Sequence, residues 1–218
     1  MIIYIAAGSA AANAQCRTLG CGILISPENV RDVTGHRYIL DNGAFSAWLH
    51  HREWDEARFY RAVSRLDRAG SHPDFVVVPD MVAGGLESLA VSLGHADRFP
   101  AGWRRYLAVQ DGMRCDDVLQ YLGRFDGIFV GGTVVWKWRT AQAWIALAHD
   151  AGIPAHIGRV GTVRNYLRAA ALGADSVDGS SPMRHKDFGR IDRYRALQAE
   201  QRQIDYRWKN LSAGITGV

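Results

Sequence analysis

Phe75-Val76-Val77-Val78-Pro79-Asp80 is an apolar run that stops at a carboxylate, and the chain repeats this design along its length. Tyr38-Ile39-Leu40 runs into Asp41, Leu107-Ala108-Val109 into Gln110, and Ala174-Asp175-Ser176-Val177 into Asp178. Ile128-Phe129-Val130 ends in Gly131-Gly132, and Ala155-His156-Ile157 ends in Gly158-Arg159. If these runs are parallel strands of one sheet, their carboxyl ends gather at one face and the groups that follow them converge on one pocket.

Outward from these runs, short β-rich stretches alternate with longer ones of helical period, the signature of repeated strand-helix units. Strands are predicted at about 2 to 6, 21 to 25, 37 to 41, 74 to 79, 105 to 110, 126 to 130, 154 to 158 and 174 to 178. Between them, Trp54, Ala57, Phe59, Tyr60, Val63 and Leu66 recur at helical spacing. The helix through Trp144 and Ile145 stops at Gly152, and the one through Tyr166 and Leu167 stops at Gly173. The second strand lacks a long helix after it, since only Ser26 to His36 precedes the third. This pattern predicts a single-domain α/β fold over residues 1–210, a compact (β/α)8 TIM-type barrel, with 211–218 as a mobile tail. An open doubly wound sheet is the alternative, but Ala6-Ala7-Gly8-Ser9 has one glycine where a dinucleotide fingerprint wants three.

Composition narrows the function classes. With 218 residues and 48% hydrophobic content, the chain can bury one sizeable core. No apolar run reaches the roughly 20 residues of a bilayer span, and Met1 to Ala7 reads as a first strand, so no membrane partner and a cytoplasmic location are expected. Cys16, Cys21 and Cys115 lack Cys-x-x-Cys spacing, which predicts plain thiols and no zinc site. Net charge is +4, and only Lys137, Lys186 and Lys209 are lysines, so arginine supplies nearly all the positive charge. Arginine forks onto phosphates, which suits a nucleic-acid partner, while a GC-rich genome would give the same bias.

Each strand end offers a chemical role beside a plainer one. Asp41 precedes Asn42-Gly43-Ala44-Phe45, where Phe45 can wall a pocket for a flat ligand; the same pattern also fits an Asx turn. Asp80 suits a ligand or a helix N-cap. Asp41 and Asp80 together with Gln110 and the Gly131-Gly132 backbone match the hydrogen-bonding edge of guanine. Asp175 and Asp178 point to opposite faces of an extended strand, and Asp178, at the carboxyl end, is the candidate nucleophile for attack on an anomeric carbon. Asp175 is left to hold a helix end or an arginine. His156, Gly158 and Arg159 occupy the place where barrels often bind phosphate, and Trp136 with Lys137 mixes aromatic and cation as flipped nucleotides require. A buried histidine, a surface arginine and a helix start account for these residues equally well.

In this order, Asp41-Asn42-Gly43-Ala44-Phe45-Ser46, Val78-Pro79-Asp80, Val109-Gln110-Asp111-Gly112, Phe129-Val130-Gly131-Gly132 with Trp136-Lys137, His156-Ile157-Gly158-Arg159-Val160 and Asp175-Ser176-Val177-Asp178-Gly179 cover roughly residues 38 to 180. The set resembles the tRNA-guanine transglycosylase superfamily, and more closely its short phage-type and bacterial members related to the DNA 7-deazaguanine transglycosylases. The resemblance implies a (β/α)8 barrel that exchanges guanine in a polynucleotide for a 7-deazaguanine, without cofactor, through a covalent aspartyl-sugar intermediate. By position, Asp178 is then the nucleophile, Asp41 the general acid/base, Asp80 the reader of the base's N1 and amino edge, and Gln110 with the Gly131-Gly132 backbone the contacts to its carbonyl. The tRNA enzymes carry a Cys-rich zinc element late in the chain, and none is present here. That departure favours DNA over tRNA as the expected partner, with a second copy of the chain or a modification-complex protein as further company. A small-molecule nucleosidase or lyase on the same barrel face, or a non-catalytic DNA-binding subunit, are the alternatives.

Overall fold

The computed structural model describes the backbone of residues 1–30 and 32–215, and side chains as far as 205. Its strands are β1 (Ile2–Ala6), β2 (Gly22–Ile25), β3 (Tyr38–Leu40), β4 (Val76–Val77), β5 (Arg105–Val109), β6 (Gly127–Val130), β7 (Ala155–Ile157) and β8 (Ser176–Gly179). They pair in parallel, each with the next, and β8 closes on β1. The helices are α1 (Ala10–Thr18), α2 (Ala44–Leu49), α3 (Glu56–Arg68), α4 (Gly85–His95), α5 (Cys115–Leu119), α6 (Val134–Asp150), α7 (Val163–Ala171), α8 (Ser181–Arg184) and α9 (Gly189–Ile215). The chain is therefore a closed α/β barrel, as its alternating pattern predicts. The open-sheet alternative is excluded by the pairing of β1 with β8. The chain passes from β2 to β3 without a helix among the described residues. The tail expected over 211–218 begins inside α9, and 216–218 lie outside the described residues.

Strand parity sorts the core into two layers, because successive side chains on a strand point to opposite faces. Ile3, Ile5, Ile23, Ile25, Leu40, Val76, Leu107, Val109, Ile128, Val130, Ile157 and Val177 face outward into the layer covered by helices. Tyr4, Ile39, Phe75, Val77, Tyr106 and Ala108 fill the interior, with Phe129 packed against them. Large and small residues alternate there: Tyr4 pairs in register with Gly22 and Tyr106 with Gly127. A Cβ at either glycine would lie 2.4 Å from the neighbouring tyrosine ring. Phe75 and Tyr106 stack at 3.8 Å, and Tyr4 meets Phe75 edge-on at 6.0 Å. This aromatic plug closes the amino-terminal half of the barrel and leaves the carboxyl-terminal half to polar residues.

The helices start where local chemistry permits. Asp55 caps α3 by accepting the Arg58 N–H at 2.8 Å, and Phe59, Ala62, Val63 and Leu66 form its buried stripe. Thr133 caps α6 and Thr162 caps α7, so both helices begin at the carboxyl-terminal mouth. The three cysteines are free thiols. Among the described residues no helix is long and apolar enough to cross a membrane.

Candidate active site

A cavity of about 660 Å3 opens at the carboxyl ends of the strands. Asp41, Asp80, Gln110 and Asp178 all line it, although they come from four different strand ends. Asp41 shares the inward parity of Ile39, Gln110 that of Ala108, and Asp178 lies on β8 opposite Tyr4 in register. Phe45, Gly131, Gly132 and Arg159 complete the wall, and Leu49 and Val134 stand exposed at the rim. Among the described residues no group of three or more His, Cys, Asp or Glu could hold a metal ion.

Burial of several carboxylates in one place governs the electrostatics. Burial pushes the Asp41 carboxyl up from 3.8 to about 7, and the charges of Asp178 and Asp80 push the same way. The Gly43 N–H, donated to Asp41 Oδ1 at 2.7 Å, and the Arg159 cation oppose this rise. Asp80 is raised to about 6, again chiefly by burial, while Asn42, Gln110 and Arg159 pull it back. At neutral pH Asp41 can therefore hold or release a proton, as a general acid/base must.

Asp80 is held by an amide frame. Asn42 Nδ2 donates to Asp80 Oδ1 at 2.7 Å and to the Val78 carbonyl at 2.9 Å, while Asn42 Oδ1 accepts the Ala44 N–H at 2.8 Å. Gln110 donates one amide hydrogen to Asp80 Oδ2 and the other to Ser88 Oγ at 2.9 Å, and its Oε1 accepts the Ala83 N–H at 2.7 Å. Both hydrogens of Gln110 are thus committed inside the protein, and none is left for a base carbonyl. The Gly131 N–H is likewise spent on the Val109 carbonyl at 2.9 Å.

Asp178 is 6% exposed, and its Oδ1 lies 2.9 Å from His156 Nε2 and 3.2 Å from the Arg159 N–H. His156 is fully buried beneath the cavity floor, so it is no phosphate contact in this arrangement. Lys137 is also buried, donates Nζ to the Gly158 carbonyl, and is lowered to about 8 by burial, with Arg159 adding to the fall. Trp136 packs against Trp144 at 6.1 Å, outside the cavity wall. Gly158 lies beside Phe129 and Asp178. Asp175 accepts the Ala155 N–H at 2.8 Å and faces His149 of α6 at 3.0 Å, so its partners are backbone and histidine, not arginine.

Arg159, expected at a phosphate, is exposed and lines the cavity. At φ +58 the backbone turns sharply after β7, the guanidinium lies 4.2 Å above the Phe45 ring, and it donates to the Gly132 carbonyl. It ties the loop after β7 to α2 and to the loop after β6 across the mouth.

Asn42, Ser88 and Ser176 are the contributors that the sequence did not single out. Asn42 lies within the quoted turn and Ser176 shares the parity of Asp178, so both were open to a strand-period argument. Ser88 lies on α4 with no local signal. No protein-family model matches the chain, and no curated protein matches it.

Proposed function

We propose that this protein exchanges guanine in DNA for a 7-deazaguanine through a covalent aspartyl-sugar intermediate. The observation that carries the reading is that Asp178 and Asp41 share one cavity, where burial above all, with repulsion from Asp178 beside it, holds Asp41 near 7. An ionised Asp178 oxygen attacks the anomeric carbon as the bond to the base breaks, and protonated Asp41 donates its hydrogen to the departing base. Asp80, aimed by Asn42 and Gln110, accepts from the N1–H and amino group that define guanine's edge. The incoming deazapurine returns its ring N–H proton to Asp41 and attacks the same carbon, which releases Asp178.

Incubation with duplex DNA and labelled guanine tests this. Label is expected to enter the polymer, and a denaturant-stable protein-DNA adduct is expected in wild type and absent in Asp178→Ala. A cavity of about 660 Å3 is also the size of a small-molecule site, which favours a nucleosidase as the second reading. Base release from free nucleosides, with no uptake into DNA or tRNA, would select it.

A further inference from the structure

Below the cavity floor lies a buried chain of three side chains, of which only the last reaches the cavity. His156 Nδ1 is 2.8 Å from Ser176 Oγ and His156 Nε2 is 2.9 Å from Asp178 Oδ1. Ser176 is 5% exposed and absent from the cavity wall, whereas Asp178 lines it. The order is therefore reversed from that of a serine hydrolase: the carboxylate faces the cavity and the hydroxyl lies deepest. Ser176 is out of reach as a nucleophile.

The hydrogen positions follow from valence. An ionised carboxylate only accepts, so Nε2 carries the hydrogen. A neutral imidazole has one, so Nδ1 is a lone pair and the Ser176 hydroxyl donates to it. Burial favours this neutral form and lowers the histidine, with Lys137 adding to the effect and Asp178 opposing it. The ring cannot easily turn, because Phe129 stacks on it at 4.8 Å and Phe75 meets it edge-on at 5.1 Å. Gly158 lets the assembly close: a Cβ there would sit 2.5 Å from Phe129 and 3.3 Å from Asp178 Oδ1. Oδ1 thus receives two donors, His156 Nε2 and the Arg159 N–H, while among the described residues no protein donor reaches Oδ2.

We propose that His156 and Ser176 are positioning residues for the aspartyl nucleophile, anchoring Asp178 through Oδ1 so that Oδ2 is the oxygen presented to the anomeric carbon. This rests on the base-exchange reading and deepens it. The groups facing the ring are Asp178 and Ser176 on β8, Lys137 on α6 and Tyr4 on β1, whose ring is 6.1 Å away.

The test has an arm that needs no turnover. Nitrogen NMR of histidine-labelled wild type between pH 5 and 8 is expected to show His156 as the neutral Nε2–H tautomer throughout; an Nδ1–H tautomer or an imidazolium would overturn the assignment. In single-turnover reactions with DNA, His156→Leu is expected to slow adduct formation about 10- to 100-fold, the scale typical of losing an orienting partner, with DNA affinity changed less than about twofold. His156→Gln, which restores an N–H donor, is expected to recover most of that loss. A folded Leu variant that forms adduct at the wild-type rate sinks the proposal. A wild type that forms no adduct sinks the base-exchange reading instead, and the nitrogen spectra still decide whether His156 Nε2 is the donor to Asp178.

Discussion

Gln110 shows how a side chain in the right place can serve a purpose other than the one its position suggests. Its location at the end of β5 was legible, because an apolar run ending in an amide is readable from the letters alone. Its partners were not, since Asp80 and Ser88 come from other elements and only the closed barrel brings them within 2.9 Å or less. Gln110→Ala is expected to leave Asp80 short of one donor and to strand the Ala83 N–H, while Ser88 Oγ keeps the Met81 N–H at 3.1 Å. The outcome is a loss of about 1–3 kcal/mol in chemical denaturation together with a raised KM for the base. The same reasoning separates Asp41 from Asp178. Asp41→Asn is expected to abolish exchange while leaving the protein folded, as read by label uptake beside circular dichroism.

Among the elements, strands were more readable than their limits. All eight appear at the predicted places because both faces of a barrel strand demand apolar residues. β4 is the exception in length: the run Phe75 to Pro79 is apolar throughout, yet only Val76–Val77 counts as strand. Pro79 has no N–H to give the ladder, and the chain leaves the sheet there. What composition could not reveal is the pairing of large with small across the interior, since that depends on register. Gly127→Ala would press a methyl group into the Tyr106 ring, 2.4 Å away, and is expected to cost about 1–3 kcal/mol of stability by thermal or denaturant unfolding. Its effect on the distant cavity is expected to be small.

At the scale of the molecule, the acid-lined cavity makes stability depend on pH in an unusual direction. Asp41 rises from 3.8 to about 7 and Asp80 from 3.8 to about 6, so the folded chain holds these protons more tightly than the unfolded one. Their contribution is complete below about pH 4 and is lost as pH climbs through 6 and 7. Asp41→Asn is therefore expected to be more stable than wild type at pH 8, by about 1–3 kcal/mol allowing for its contact with the cavity, and about equal to it near pH 4. Thermal unfolding at the two pH values checks this, and a wild type that gains stability between them would contradict it. Part of the positive charge is held in surface ion pairs such as Arg37–Asp74 at 2.7 Å, Arg52–Glu28 at 3.0 Å and Arg124–Asp97 at 2.6 Å. Attraction to a polyanion falls to the arginines outside such pairs, and DNA affinity is expected to weaken as salt rises. One of those arginines has a further consequence. With the Arg159 guanidinium lying over Phe45, the protein fills its aromatic slot with its own side chain. A planar guest must wait for that occupant to swing aside, so association should become a saturable, first-order process at high ligand concentration, and removing the side chain in Arg159→Ala should turn it into simple collision.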